Sequence, residues 1–375
     1  MTDTLPRPRA LRQHGGRRHV TPDDVEDLAA GAALLGSGGG GDTHTATLLA
    51  RHQLAEHGPV PLVHLSDLDP DAPVACVGAV GSTTALAERL PGGTEFTTVV
   101  DTLNSRLDTP LAALQPLEIG GVNALFALAA AARTGLPLVD ADAMGRAFPR
   151  LDQTTLSAAG HPASPTALAD ARGTALTIDV PDNATLELVV REALPALGGW
   201  CAIATHPAAA RTYLGAVVDR SVTRALCLGA AYLHAAGAPP AVRAAFIARR
   251  GGTPLRSGTV CEVRRRETTA GAHTTITVQD RADPARTLRL EAGDEYVLVL
   301  DDGVPLAVTP EVICVLDPRT WRLIPPYAVT EHQRVALFAL PAAPAWRPPS
   351  SSLVGLASYG LRDLPQDVHA PHHGP

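Results

Sequence analysis

Leu136-Pro137-Leu138-Val139-Asp140-Ala141-Asp142-Ala143-Met144-Gly145-Arg146-Ala147-Phe148-Pro149 runs from an apolar stretch directly into two carboxylates, a glycine and an arginine. Read as a strand over 136–140, the apolar run follows the Ala-rich segment Asn123 to Arg133, which has the composition of a buried helix. Upstream, Val74-Ala75-Cys76-Val77-Gly78-Ala79-Val80 reads as another buried strand. Strands alternating with helices predict a largely parallel, layered α/β domain. A period of two places Asp140 and Asp142 on one face at the strand's end, where open α/β sheets bind ligands. Close carboxylates repel, which raises the proton affinity of one unless a cation or metal joins them. The segment predicts a site; a pair of turn or cap aspartates neutralised by Arg146 is the competing reading.

The same alternation extends outward. Thr21-Pro22-Asp23-Asp24 is a helix start, with a capping hydroxyl, Pro in the first turn and acids at the positive dipole end. Val25, Leu28, Ala29, Ala32 and Leu35 then share one face, and Gly36 stops the helix. A second helix is predicted from Thr43 to Leu54, strands over 176–180 and 201–205, and an apolar helix over 221–236. Beyond residue 250 the texture changes to short β-type runs at 260–263, 274–278, 287–290, 296–300, 312–316 and 335–340, separated by Gly, Asp and Pro turns. That spacing predicts a small all-β sandwich or barrel. The expected organisation is a disordered tail over 1–19, an α/β domain over 20–248 carrying the site, an all-β domain over 249–346, and an extension over 347–375 that is disordered from about 365.

Composition narrows the function. The chain has 375 residues and a formal net charge of −7. No basic face faces phosphates, so nucleic-acid binding is not expected. All 31 basic residues are arginines. Without lysine there is no Schiff base, hence no pyridoxal phosphate, and no phosphate-loop lysine. The five cysteines are scattered and form no C-x-x-C pair, which suits a reducing cytoplasm. No apolar stretch approaches ~20 residues, so no membrane span is expected.

The glycine run Gly36 to Gly41, ending at Asp42, precedes a helix and so suggests anion binding by backbone N–H groups. It follows a helix rather than a strand and matches no nucleotide fingerprint, so no nucleotide cofactor is expected. A ligand-contacting loop and a plain inter-helix loop stay open, as do ligand contact and helix capping for Asp42. In Leu117-Glu118-Ile119-Gly120-Gly121-Val122-Asn123, composition alone places Glu118 in solvent. His161 and His206 fall in expected loops and read as structural, and Cys201 as a buried, inert thiol. No histidine spacing marks a metal site.

Gly-Ser-Gly-Gly-Gly-Gly-Asp at 36–42, Glu-Ile-Gly-Gly-Val-Asn at 118–123 and Val-Asp-Ala-Asp-Ala-Met-Gly-Arg-Ala-Phe-Pro at 139–149 together resemble the S-methyl thiohydantoin desulfurase family, a family associated with hydantoinase/oxoprolinase-type proteins. The segments 310–317 and 333–337 resemble its C-terminal domain, so the likeness runs from about 20 to 350. Ala141 and Ala143 stand where the family usually has Gly, and Gly293-Asp294-Glu295 where an Asn-Glu pair is more typical.

The resemblance implies a three-layer α/β domain followed by a β-barrel-like domain. It also implies hydrolysis of an S-methyl thiohydantoin, or a related five-membered cyclic amide or amidine, to a hydantoin with loss of methanethiol. Water activation then falls to Asp140 or Asp142, directly or through a divalent metal held by that pair, and Glu118 is the acid/base partner. Arg146 anchors a substrate carboxylate or pairs with the aspartates. Gly38, Gly39, Gly40 and Gly41 orient the ring, and Asp42, Asn123 and Gly145 complete the substrate contacts. The competing reading is a non-catalytic partner of a hydantoinase/oxoprolinase-type enzyme; self-association is left open.

Overall fold

A computed structural model describes residues 13–14, 17–268, 271–347, 350–361 and 364. The chain divides into two compact units, one of residues 1–35 with 40–230 and one of residues 36–39 with 231–375.

The first unit is built on a nine-stranded mixed sheet. Its order is Gln13–His14, Arg17–Val20, Val60–Val63, Leu138–Val139, Ala113–Pro116, Pro73–Gly81, Trp200–Ala209, Thr166–Ala169 and Ala175–Ile178. The four central strands from Val60–Val63 to Pro73–Gly81 are mutually parallel; every flanking pairing is antiparallel. The largely parallel expectation therefore holds only for the middle of the sheet. Beyond it, Thr166–Ala169 and Ala175–Ile178 form a hairpin whose turn is closed by Asp170, which accepts from the N–H groups of Arg172 and Thr174. The helix Asn123–Thr134 is buried along nearly its whole length. Its alanines allow close approach to the sheet, since a methyl side chain adds little thickness. Helices Val25–Leu35 and Thr43–His57 pack with it. The expected start at Thr21 is present: Asp24 accepts both the N–H and the hydroxyl of Thr21.

The second unit is a curled antiparallel sheet of seven strands, ordered Val304–Val308, Tyr296–Asp301, Thr287–Ala292, Gly271–Asp280, Thr253–Thr268, Arg334–Leu340 and Val312–Leu316. Its concave core holds Val260, Ile276, Val278, Leu288, Leu290, Val299 and Ile313 around Tyr296. Tyr232 and Phe246 pack with Trp321 and Phe338, and for this reason the unit begins at Ala231, inside the helix Ser221–Ala236, and not at 249. Leu356 and Tyr359 of the C-terminal extension join a second cluster with Val297, Leu298 and Leu300. At the other end, Gln13–His14 pairs with Arg17–Val20, which pairs with Val60–Val63, so parts of the segment expected as a disordered tail over 1–19 join the sheet. Most of that tail, and everything from residue 365 on, lies outside the described residues.

Candidate functional site

The carboxyl ends of the parallel strands gather the polar residues of the first unit. Glu118 lies just past Ala113–Pro116, Asp140 just past Leu138–Val139, and Asn123 opens the following helix. Two stretches of sequence, 118–123 and 139–148, therefore meet at the carboxyl ends of the central strands.

Glu118 is only 6% exposed, against the solvent-facing reading that composition suggests. Asn123 fixes it: the Asn123 amide donates to Glu118 Oε1 at 2.6 Å while its own oxygen accepts the Ala79 N–H at 2.6 Å. The Phe148 N–H donates to Oε2 at 3.2 Å. Burial outweighs these donors and pushes the Glu118 carboxyl up to about 8, with the Asp142 charge adding to the rise and Arg146 opposing it. Glu118 is thus a neutral acid at neutral pH.

Asp142 is fully buried, and its Oδ2 accepts three backbone N–H groups, from Ile119 at 2.9 Å, Met144 at 3.0 Å and Gly145 at 2.6 Å. Gly145 reaches it from a backbone with φ +77°, a conformation open to glycine at little cost. Burial raises the Asp142 carboxyl to about 6, held there by these N–H groups and by the neighbouring Ser221 hydroxyl. Its Oδ1 has no hydrogen bond, and neither does Ser221 Oγ, although both are buried. Arg146, 1% exposed, donates from Nε to the Ala147 carbonyl and lies 5.1 Å from the centre of the Phe148 ring.

Asp140 takes a different path. The chain turns after Val139, and the Asp140 N–H bonds to the Val63 carbonyl. Ala141–Asp142 leaves the sheet to pair with Val218–Asp219. Both Asp140 oxygens are engaged by Thr223, from its N–H at 2.8 Å and its hydroxyl at 2.6 Å. Asp140 therefore caps the helix Ser221–Ala236, where a carboxylate meets the positive end of the helix dipole. The two aspartates do not share one strand face, because the bend between them sends their side chains to different partners. Among the described residues no three His, Cys, Asp or Glu converge as metal ligands. With Asp140 committed to Thr223, the aspartates do not fit a metal as a pair.

The glycine run is explained by packing. Gly40 has φ +73°, and a Cβ there would lie 2.9 Å from Gly121 Cα; the Gly40 carbonyl accepts the Val122 N–H at 2.8 Å. Gly41 has φ +82° and follows it in the first unit. In the second unit, a Cβ on Gly38 would meet Pro326 and Tyr296, and one on Gly39 would meet Glu295. Ser37 donates to the Ile313 carbonyl, and its own carbonyl accepts the Tyr296 N–H. Asp42 is the exposed N-cap of Thr43–His57, accepting the His44 N–H. Close packing, against backbone at Gly40 and against side chains at Gly38, Gly39 and Gly41, thus accounts for these glycines, and helix capping for Asp42.

Sequence reading missed Ser221 and a polar chain beneath the site. Gln115 Nε2 contacts Cys76 Sγ at 3.5 Å, and Tyr213 contacts the same sulfur and donates to the His206 carbonyl. Nothing local marks these residues, since each comes from a different strand or helix. Burial pushes the Cys76 and Cys201 thiols up to about 12, which makes both unreactive. His206, with φ +53°, is driven down to about 3 by burial and is neutral; His161 beside it is half-buried.

Family models describe residues 23–180 as an S-Me-THD-like N-terminal domain and residues 181–367 as an S-Me-THD-like C-terminal domain. The chain belongs to the S-Me-THD-like family. This is the S-methyl thiohydantoin desulfurase family that the 36–42, 118–123 and 139–149 motifs resemble. Among solved structures, a protein from Chromobacterium violaceum, known by its crystal structure, shares the fold with a TM-score of 0.76. It is 24% identical, and the match covers 94% of this chain and 99% of that one. No curated protein matches the chain. Among the described residues of this S-Me-THD-like protein, no helix is long and apolar enough to cross a membrane.

Proposed function

We propose that the Glu118, Asn123, Asp142 and Arg146 cluster hydrolyses a small five-membered cyclic amide or amidine, of the S-methyl thiohydantoin type. The observation that carries this reading is the burial of two carboxyls side by side in the 118–123 and 139–149 motifs, with Glu118 raised further, to about 8, than Asp142, to about 6. Paired groups pushed apart in proton affinity are the arrangement that acid–base chemistry needs.

Asp142 takes a proton from water through its unbonded Oδ1. The water oxygen bonds to the ring carbon that carries sulfur as the ring C=N π pair moves onto the nitrogen. That pair re-forms the double bond as the carbon–sulfur bond breaks, and methanethiolate leaves with the proton supplied by Glu118. The proton of the new hydroxyl shifts to the ring nitrogen through solvent, which gives the hydantoin carbonyl, and the Asp142 proton returns to Glu118, so that substrate and water become hydantoin and methanethiol. Asn123 holds Glu118 in place, and Arg146 offsets negative charge that builds on the ring.

Release of thiol from an S-methyl thiohydantoin by the purified protein tests the reading. Asp142→Asn is expected to lower turnover by about 10²–10⁴-fold, the usual worth of a general base. Because Asp142 also anchors three N–H groups, this variant is expected to melt a few degrees lower, and wild-type turnover in a folded Asp142→Asn protein would exclude Asp142 as the base.

A further inference from the structure

A concavity lies on the first unit, at the carboxyl end of Val60–Val63. It encloses about 360 Å³, within the size range of small-molecule sites, and is walled by the 64–66 turn and the 214–220 loop. Neither the family motifs nor the proposed hydrolysis uses it.

Arg220 and Leu214 distinguish its lining. Arg220 adopts φ +54°, a left-handed conformation that glycine or asparagine takes more cheaply. Its backbone is pinned there, the N–H donating to the Asp140 carbonyl at 2.7 Å and the carbonyl accepting from the Arg224 N–H. Its guanidinium is 64% exposed, and among the described residues its only partner is Asp219, with Nε 3.9 Å from Oδ2, beyond hydrogen-bond reach. Leu214 is 54% exposed on the same wall, while Leu65 and Val217 are buried behind it. The cavity thus offers a guanidinium at its rim, a carboxylate one residue away that is itself 70% exposed, the His64 ring and Ser66 hydroxyl, and an apolar floor.

We propose that this cavity binds a small amphipathic amino acid. The carboxylate meets Arg220, the ammonium group meets Asp219, and an aliphatic side chain covers Leu65, Leu214 and Val217. A planar guanidinium matches a carboxylate in two parallel hydrogen bonds. A single nearby aspartate disfavours a doubly charged phosphate but suits a zwitterion. The strain at Arg220 is then the cost of presenting that guanidinium at the rim.

Titration of the full-length protein with L-leucine, 4-methylpentanoate and leucinamide, followed by calorimetry or by shifts in nuclear magnetic resonance spectra, tests the assignment. Leucine is expected to saturate with a Kd of about 1 mM or tighter, and each analogue, lacking one charged end, to bind at least about tenfold more weakly. Arg220→Gly removes the guanidinium at a backbone position that glycine accepts, so it is expected to fold with an unchanged or higher Tm and to lose about tenfold or more in leucine affinity. Arg220→Asn, also tolerant of this conformation, provides the same test. Asp219→Asn is expected to weaken leucine while strengthening 4-methylpentanoate. No saturable leucine binding, or wild-type affinity in a folded Arg220→Gly protein, overturns the proposal; neither outcome depends on thiol release.

Discussion

Glu118 and Glu291 are both buried glutamates, yet the two units treat them differently. Glu291, fully buried in the curled sheet, is met by His273 at 2.7 Å, Thr275 at 2.7 Å and the Arg289 guanidinium. All of these lie on the neighbouring strands 271–280 and 287–292, so register alone assembles the cluster. Glu118 accepts from an amide and one backbone N–H, with the Arg146 charge nearby, and burial outweighs them and raises its proton affinity. A buried carboxylate surrounded by side-chain donors and cations is a structural brace. One whose burial outweighs its few donors holds its proton at neutral pH. Asp142 stands between the two, with one oxygen saturated by three N–H groups and the other unbonded.

Substituting the two glutamates in parallel gives the strongest contrast. Glu118→Gln is expected to reduce turnover by about 10²–10⁴-fold, and Glu291→Gln to leave it unchanged. Stability should move the opposite way: Glu291→Ala leaves His273, Thr275 and Arg289 facing a buried gap and is expected to cost about 3–5 kcal/mol, read from denaturant unfolding. Equal activity losses in both variants would dissolve the distinction.

The pH dependence of stability sharpens it. Glu118 and Asp142 bind protons more tightly folded than unfolded, rising from 4.5 to about 8 and from 3.8 to about 6. Their contribution is complete below their unfolded values and is lost as pH rises, for Asp142 through about 6 and for Glu118 through about 8. Unfolding free energy measured from pH 4 to 9 in the wild type and in Glu118→Gln is expected to diverge over that window, with the variant flatter. The same pair predicts an activity maximum between about 6 and 8, set by ionised Asp142 and neutral Glu118.

The smallest effect is expected at Asp140. Asp140→Asn keeps an acceptor for Thr223 but removes the charge at the helix start, costing about 1 kcal/mol with little change in turnover. A loss as large as that of Asp142→Asn would restore the two aspartates as a functional pair.

Much of this molecule was legible along the chain. The apolar runs at 74–80 and 138–139, the helix start at Thr21, the alanine helix after Asn123 and the β texture after 250 are all local patterns of period and capping, and local patterns survive folding. The motifs at 118–123 and 139–149 placed Glu118, Asn123, Asp142 and Arg146 in one candidate site, where the fold buries all four. The chain could not show that Asp140 turns away to cap a helix 80 residues later, because that depends on the pairing of Ala141–Asp142 with Val218–Asp219. It gave no sign of Ser221 beside Asp142 or of Gln115 against Cys76. Composition put Glu118 in water, and only the fold buried it. Proton affinity depends on burial and on partners brought in from remote segments, so the sequence by itself marked the candidate residues, and the tertiary structure alone decided which of them are gathered and hold a proton.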